Sequence, residues 1–308
     1  MTEIRRILCP IDFSEHSRRA LDHAVAIARW YKATIVVLHV YAVAPVAAYA
    51  VGAPGFESIA LTQVDRERLL EELRRFCDTE AAPGVSMRMV IRDGKATAEI
   101  LAQAAEMDAD LLVMGTHGLS GVERFIIGSV TEKVLRKATC PVLTVPRRQP
   151  DAVPSATVVF KQILCPIDFS GASMNALEYA MSLAQESDGH LTLLHVNAEE
   201  AEGALGFESD VADEDLAIGD RQRRRDEALL ARLKASVPAA VAEYCSVETM
   251  VGRGKPWREI LRIASEQDSD VIVMGAQGRG AAELMFFGST TSQVVREATC
   301  PVLTLRAE

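Results

Sequence analysis

Short apolar runs alternate along the chain with stretches in which apolar residues recur every three or four positions. The run over residues 4–11 is continuous enough for a buried strand, and it ends beside a proline and an aspartate. After Ser14, which suits a helix N-cap, the recurring residues mark one helix face: Leu21, Ala24, Val25 and Ala28. The β-branched run over 34–40 then predicts a second strand that is covered on both faces.

The same alternation continues to residue 145. It predicts, in order, a charged helix over 61–77, a strand over 85–91, a helix over 96–107, a strand over 111–114, a helix over 130–137 and a last strand over 141–145. The segment 41–59, rich in Ala, Pro, Gly and Val, is predicted to be a long loop. Strands that alternate with helices at this rhythm indicate parallel βαβ units in a doubly wound, Rossmann-like α/β sheet.

The pattern occurs twice in the 308 residues. Residues 7–14, Ile-Leu-Cys-Pro-Ile-Asp-Phe-Ser, return unchanged as residues 163–170, which is 156 positions later. From Gly94-Lys95 onward the offset is 160, as in Gly254-Lys255, so a net insertion of four residues lies between the two points. Two copies of domain length indicate a duplicated domain. We predict domains over 1–146 and 159–308, joined by a proline-rich linker over 147–158.

The excess of acidic residues that gives the chain its net charge of −10 lies in the second copy. Residues 1–150 contain 19 Lys and Arg against 18 Asp and Glu, whereas residues 151–308 contain 14 against 25. Much of the excess lies over 197–220, which we interpret as the acidic counterpart of the loop over 41–59. The basic residues that follow are interpreted as a solvated helix face: Arg221, Arg223, Arg224 and Arg225. This charge argues against nucleic acid or an anionic membrane as the partner.

Neither secretion nor metal binding is indicated by the sequence. The N-terminus reaches Asp12 too soon for a signal peptide, and no apolar run is long enough to span a bilayer, so we expect a cytoplasmic protein. The six cysteines include no Cys-x-x-Cys pair. Four of them precede prolines at equivalent positions of the two copies, which favours packing roles: Cys9, Cys140, Cys165 and Cys300.

A spaced glycine pattern follows the fourth predicted strand of each copy. It reads Gly115-Thr116-His117-Gly118, nine residues and Gly128-Ser129, and it returns as Gly275-Ala276-Gln277-Gly278, nine residues and Gly288-Ser289. In open parallel sheets, ligands lie beyond the carboxyl ends of the strands, where helix N-termini present unpaired N–H groups. The pattern therefore predicts a phosphate site, with the Ser129 hydroxyl and the following N–H groups of Val130 and Thr131 as ligands.

An alternative is that Ser129 only caps its helix. Ser129-Val130-Thr131-Glu132 fits a capping box, with Glu132 at the fourth position. The second copy has Ser292 instead of that glutamate, so capping alone does not explain why the Gly-Ser pair occurs twice.

Asp12 and Asp168 follow the first strand of each copy and are predicted to lie at the same sheet edge as the glycines. Such a carboxylate can accept hydrogen bonds from ribose hydroxyls or an adenine amino group, or it can cap the helix that begins near Ser14 or Ser170. His39 and His195, near the end of the second strand, are interpreted as packed polar residues rather than catalytic ones.

Several sequence motifs of nucleotide-binding enzymes are missing. It contains neither a Walker motif nor a Gly-x-Gly-x-x-Gly after the first strand, and Gly252-Arg253-Gly254-Lys255 is interpreted as a turn. His117 and Arg124 are replaced by Gln277 and Leu284 in the second copy, so neither is a candidate for a shared reaction. A binding protein is favoured over an enzyme, and a slow ATPase or a nucleotide-free adaptor stay as alternatives.

Each half resembles a universal stress protein domain, and the whole chain resembles a tandem member of that family. The resemblance rests on Pro-Ile-Asp-Phe-Ser, Leu-His-Val, Val-Met-Gly-x-x-Gly-x(9)-Gly-Ser and Ala-Thr-Cys-Pro-Val-Leu-Thr, each present twice. It implies a mainly five-stranded parallel domain that binds ATP with Mg²⁺. By motif, the first site would comprise Asp12, Val40, Met114, Gly115, Gly118, Gly128, Ser129 and Val130. The second would comprise Asp168, Val196, Met274, Gly275, Gly278, Gly288, Ser289 and Thr290.

The resemblance also implies how such a protein assembles and acts. Family members pair through their last strands, so we expect 142–145 and 302–305 to meet in an intramolecular pseudo-dimer, with a homodimer as a further possibility. The implied function is a nucleotide-dependent stress-response regulator with weak or no hydrolysis. Because the second site has acidic neighbours over 199–220, we expect the first site to bind ATP better.

Overall fold

The structure, a computed structural model, describes residues 3–41, 63–78, 84–118, 127–147, 158–198, 212–243, 245–278 and 287–307. The chain divides into a first unit of residues 2–159 and a second unit of residues 160–308. Some predicted segments lie outside the described residues: the loop over 42–59, most of the linker over 147–158 and the part of the acidic stretch over 199–211.

The first unit alternates strands and helices as the hydrophobic pattern predicts. Its elements are β1 (Arg6–Ile11), α1 (Glu15–Tyr31), β2 (Thr34–Tyr41), α2 (Gln63–Cys77), β3 (Ser86–Asp93), α3 (Ala96–Glu106), β4 (Leu111–Gly115), α4 (Ser129–Lys137) and β5 (Val142–Val145). The boundaries that were predicted lie within about two residues of the observed ones, and differences of this size are common at the ends of helices and strands.

The second unit repeats this order with one additional short helix. Its elements are β6 (Gln162–Pro166), α5 (Gly171–Ser187), β7 (His190–Asn197), α6 (Ala212–Ala235), α7 (Ala239–Ala242), β8 (Ser246–Arg253), α8 (Pro256–Glu266), β9 (Val271–Gly275), α9 (Ser289–Glu297) and β10 (Val302–Leu305).

The prediction that 197–220 is entirely loop is wrong, because α6 begins at Ala212. The sequence after this helix start contains Ala, Leu and Glu, which favour helices, and no proline.

Each unit contains a parallel sheet with a reversal of strand order at its centre. The first sheet has the order β3-β2-β1-β4-β5, and the second has the order β8-β7-β6-β9-β10. All the strand pairs within a unit are parallel. The chain moves from β1 outward to β3 and then returns to the other side of β1 with β4, so the crevice lies between the carboxyl ends of β1 and β4. The same crevice in the second unit lies between β6 and β9.

The central strands are buried on both faces, as expected of a doubly wound sheet. Ile7, Leu8 and Cys9 in β1 are fully buried, and so are Leu164 and Cys165 in β6. All six cysteines are free thiols, and burial raises the pKa of Cys9 and of Cys165. A buried thiol with a raised pKa is a packing residue rather than a nucleophile.

Among the helices of the described residues, none is both long enough and apolar enough to cross a membrane.

Candidate functional site

A hydrogen-bonded turn links the end of β1 to the start of α1. The Asp12 Oδ1 atom accepts hydrogen bonds from the Ser14 backbone N–H at 3.1 Å and from the Ser14 hydroxyl at 2.5 Å. The Ser14 Oγ atom in turn accepts from the Ser17 N–H at 3.2 Å, so Ser14 is the N-cap of α1. The second unit repeats all three bonds with Asp168, Ser170 and Ser173. The aspartate therefore positions the capping serine and does not cap the helix itself.

Phe13 and Phe169, which lie between these aspartates and serines, have left-handed backbone conformations. Their φ angles are +62° and +61°, which is unfavourable for a large non-glycine residue. The Phe13 ring packs against His39 with ring centroids 4.6 Å apart, and Phe169 packs against His195 at 5.2 Å. This conformation turns the chain sharply directly after the aspartate.

Both of these histidines bind the backbone at the end of the first strand. The His39 Nδ1 atom donates to the Ile11 carbonyl at 2.8 Å, and the His195 Nδ1 atom donates to the Ile167 carbonyl at 2.6 Å. A carbonyl can only accept, so the Nδ1 atom carries the proton in each case. The histidines therefore hold the strand end and the adjacent phenylalanine in place.

The aspartates and the glycine loop meet at the crevice. A Cβ atom added to Gly118 would lie 2.6 Å from the Asp12 Oδ2 atom, and one added to Gly278 would lie 2.8 Å from the Asp168 Oδ2 atom. Real Cβ atoms do not come this close to an oxygen, so any side chain here would displace the carboxylate. Glycine is therefore needed here because the aspartate carboxylate comes so close to the backbone. The sequence pattern alone suggested other reasons, namely a bound anion or a positive φ angle.

Gly115 and Gly275 allow a helix to pack tightly against a strand end. A Cβ atom on Gly115 would lie 3.0 Å from the His16 Cβ atom, and one on Gly275 would lie 2.9 Å from backbone atoms of Ala172 and Ser173. The first turns of α1 and α5 therefore rest directly on β4 and β9. These two glycines have a packing role whether or not a ligand binds.

Ser129 is the first helical residue of α4 rather than its cap. The N-cap is Gly128, which provides no side-chain hydrogen bond, and Gly288 has the same position in α9. The capping-box alternative for Ser129 is therefore wrong. The Ser129 and Ser289 side chains are exposed at the first turn of each helix, where backbone N–H groups lack intrahelical partners.

Two threonines support these helix starts, and their role was not identified from the sequence. The Thr131 hydroxyl donates to the Gly115 carbonyl at 2.9 Å, and the Thr291 hydroxyl donates to the Gly275 carbonyl at the same distance. Their presence two residues after Ser129 and Ser289 in both copies was the available signal.

The second unit contains a pocket of about 990 Å³ at this crevice. This volume is at the upper end of the range found for small-molecule sites. All eight residues predicted for the second site line it: Asp168, Val196, Met274, Gly275, Gly278, Gly288, Ser289 and Thr290. The structure therefore brings together residues that are up to 122 positions apart in the chain, from Asp168 to Thr290.

Helix α6 provides one wall of the same pocket. Four residues of this helix line the pocket: Arg225, Ala228, Leu229 and Arg232. The interpretation of Arg225 as part of a solvated face was incomplete, because its side chain is exposed but lies at the pocket. Arg232 was not considered from the sequence. Its spacing of seven from Arg225, which places both on one helix face, was the available signal.

The predicted residues of the first unit lie at the equivalent strand and helix ends. Asp12 follows β1, Val40 is half-buried near the end of β2, and Met114 is buried in β4. The other predicted residues lie at the end of β4, shortly after it, or at the start of α4: Gly115, Gly118, Gly128, Ser129 and Val130. Arg124 lies outside the described residues.

A pair of histidines distinguishes the first unit. The His16 and His117 rings lie 5.8 Å apart, and the His117 Nδ1 atom is 2.9 Å from the Thr116 hydroxyl. Burial lowers the pKa of His16, and the neighbouring His117 lowers it further. The second unit has Ala172 and Gln277 at these positions, so the pair is not part of any chemistry that the two sites share.

Within the described ranges, no three His, Cys, Asp or Glu side chains lie close enough together to hold a metal ion by themselves. Both units provide backbone N–H groups, a serine hydroxyl and one carboxylate at this crevice, beside the threonine and the histidine that bind backbone carbonyls.

The geometry defines a tandem doubly wound α/β protein with a helix N-terminus and a carboxylate facing each other at the switch point of each unit. The sequence matches the Universal stress protein family twice, over residues 3–146 and 160–306. The chain belongs to the universal stress protein family.

Individual relatives agree with this assignment. The chain is 35% identical to a universal stress protein of Methanocaldococcus jannaschii over 142 residues, which is 46% of this chain and 81% of that protein. It is 28% identical to a universal stress protein of Mycolicibacterium smegmatis over 306 residues, or 97% and 96% of the two chains. The crystal structure of a universal stress protein from Archaeoglobus fulgidus has the same fold, with a TM-score of 0.64, 24% identity and 98% coverage of both chains.

The different roles of the two serines in each unit can be separated by stability measurements. Ser170→Ala removes the N-cap of α5 and should lower the free energy of unfolding by about 1 kcal/mol. Ser289→Ala should change it by less than about 0.5 kcal/mol, because this exposed side chain makes no capping bond. Urea unfolding of the full chain, followed by circular dichroism, measures both. Equal losses in the two variants would contradict the assignment of Ser289 to a role other than capping.

Proposed function

We propose that the chain is an ATP-binding, nucleotide-dependent stress-response regulator that acts in the cytoplasm and hydrolyses ATP weakly or not at all. The observation that carries the proposal is the convergence of all eight predicted residues of the second copy on one pocket. The equivalent residues of the first unit form the other proposed site. Occupancy by nucleotide is proposed to change how the protein associates with partners.

The first turns of α4 and α9 are the proposed phosphate sites. Ser129 and Ser289 have exposed side chains in these turns, directly after the glycine caps. The unpaired N–H groups and the positive end of the helix dipole attract an anion, and a hydroxyl donates a further hydrogen bond. Val130 and Thr290 contribute the next backbone N–H group in each copy.

Asp12 and Asp168 are proposed to bind the nucleoside end or a Mg²⁺ ion. Magnesium is commonly held by one or two carboxylates together with substrate phosphates, which fits a crevice that offers a single aspartate. When bound, the ion would neutralise phosphate charge. The bonds from Ser14 and Ser170 fix the Oδ1 atom of each aspartate at the crevice.

Binding without turnover is favoured because, among the described residues, the two sites share no cationic side chain that could stabilise a transition state. His117 is not a group that the two sites share, because the second unit has Gln277 in its place. A slow ATPase and a nucleotide-free adaptor are the competing functions, and both are outcomes of the following measurement.

Titration calorimetry of the full chain with ATP and Mg²⁺ tests the proposal. Ser289→Ala should weaken ATP binding at one site roughly tenfold, because a hydrogen bond to a charged group is lost, and Ser129→Ala should do the same at the other. Both variants should bind adenosine as the unmodified chain does. Absence of ATP binding would favour the adaptor. Phosphate release well above background, abolished in these variants, would favour the ATPase.

We further propose that the two units pair through β5 and β10, with a homodimer as an additional assembly. Each of these strands is the outermost strand of its own five-stranded sheet, and each is mostly apolar, with the sequences Val-Leu-Thr-Val and Val-Leu-Thr-Leu. An exposed edge with such side chains pairs readily with another strand.

Co-expression of the two units as separate polypeptides, one ending at Pro146 and one beginning at Val158, tests this pairing. The two should elute together on size-exclusion chromatography. Thr144→Pro, which removes one backbone N–H group from β5, should separate them. Two folded polypeptides that elute independently without the substitution would contradict the pairing.

A further inference from the structure

We propose that the second site selects its ligand by phosphate charge whereas the first site does not, because α6 carries two arginines where α2 carries two acidic residues. The inference rests on the proposed nucleotide function and extends it, since it assigns different ligand preferences to the two sites. It also reverses the sequence-based expectation that the first site binds ATP better.

Helices α2 and α6 can be compared residue by residue at an offset of 160. Leu73 and Leu233 are both completely buried at this offset. The ion pair between Arg66 and Asp93 in the first unit becomes the pair between Asp226 and Arg253 in the second, with the charges exchanged. Two positions that preserve a pair while its charges swap must face each other in both units. The four-residue insertion therefore lies before this part of α6.

At this offset, Asp65 corresponds to Arg225 and Glu72 corresponds to Arg232. The two positions of each helix are seven residues apart, or about two turns, so they lie on the same face. In the second unit, that face lines the pocket of about 990 Å³. The comparison thus places two negative side chains near the first site at positions where the second site has two positive ones.

The two arginines retain their positive charge at the pocket. Among the residues that the structure describes, the Arg225 side chain forms no ion pair, whereas its neighbours Arg223 and Arg253 pair with Asp220 and Asp226. Arg232 lies over the Phe169 ring with its guanidinium carbon 3.8 Å from the centroid. This contact orients the arginine beside the strained turn after Asp168 without neutralising its charge.

In the first unit, a different arginine packs on an aromatic ring near the equivalent turn. Arg18 of α1 lies over the Phe76 ring at 3.8 Å, and it donates a hydrogen bond to the Phe76 backbone carbonyl. Phe76 itself packs edge-on against Phe13, with ring centroids 5.6 Å apart. Arg18 is therefore bound to the C-terminal end of α2, where the helix dipole stabilises its positive charge.

A polyphosphate carries several negative charges, so its affinity responds to the sign of the charges around the pocket, and the response weakens as salt is added. Arg225 and Arg232 line the pocket itself. Charges at the pocket act strongly on a ligand, because the interaction is largest at short distance and least screened there.

Calorimetry of the full chain with ATP, AMP and adenosine tests the proposal. In the double variant Arg225→Asp with Arg232→Glu, the tighter ATP site should weaken about tenfold or more, the effect on AMP should be smaller, and adenosine should be unaffected. The effect on ATP should shrink as the salt concentration rises. Arg225→Asp alone should give a smaller change in the same direction, and among the described residues it breaks no ion pair or hydrogen bond of this side chain.

A matched control is Arg224→Asp with Lys234→Glu. It changes the net charge by the same amount on the same helix, at exposed positions that do not line the pocket. It should leave ATP affinity within about twofold of the unmodified chain. The reciprocal variant, Asp65→Arg with Glu72→Arg, should strengthen the weaker ATP site by about tenfold.

The failure of this inference can be distinguished from failure of the proposed function. If the unmodified chain binds ATP but the pocket variant and the control behave alike, the charge preference is wrong and nucleotide binding stands. A loss of adenosine binding equal to the loss of ATP binding would also overturn it, since the arginines would then act through pocket shape. If the unmodified chain binds no ATP, both proposals fail.

Discussion

The contact between a carboxylate and a glycine at the centre of each sheet is the constraint on which the candidate sites depend. Asp12 follows β1 and Gly118 follows β4, and the carboxylate oxygen lies where a side chain of residue 118 would begin. The other oxygen holds the serine that caps α1, so one side chain fixes both the loop and the helix. The second unit repeats the arrangement with Asp168 and Gly278, which shows that it is a property of the repeat.

Much of this organisation could be predicted from the sequence. Periodic apolar residues indicated the order of the strands and helices, and the topology rules for parallel sheets placed Asp12 and the glycines at one edge. The structural role of each individual glycine and serine could not be predicted, because it depends on contacts with atoms that are distant in the chain. Gly118 is required by a carboxylate more than 100 positions earlier, and the start of α4 at Ser129 depends on how Gly128 meets the strand end.

Comparison of the two copies separates what the fold requires from what can vary. Both copies retain the aspartate, the capping serine and the glycines. They differ in the side chains around this frame, where Asp65 and Glu72 correspond to Arg225 and Arg232. Such differences are hard to interpret from the sequence, since an arginine on a charged helix most often faces solvent. Only the structure places these arginines at the pocket.

The central claim is that the residues shared by the two copies, namely the aspartate, the serines and the glycines at the crevice, bind an adenine nucleotide. The most direct measurement is to denature the purified full chain by heat and identify the released small molecules by chromatography and mass spectrometry. The account predicts that adenine nucleotide is released, and that a chain with Ser129→Ala and Ser289→Ala releases substantially less. Absence of released nucleotide, together with no uptake of added ATP before heating, would contradict the account.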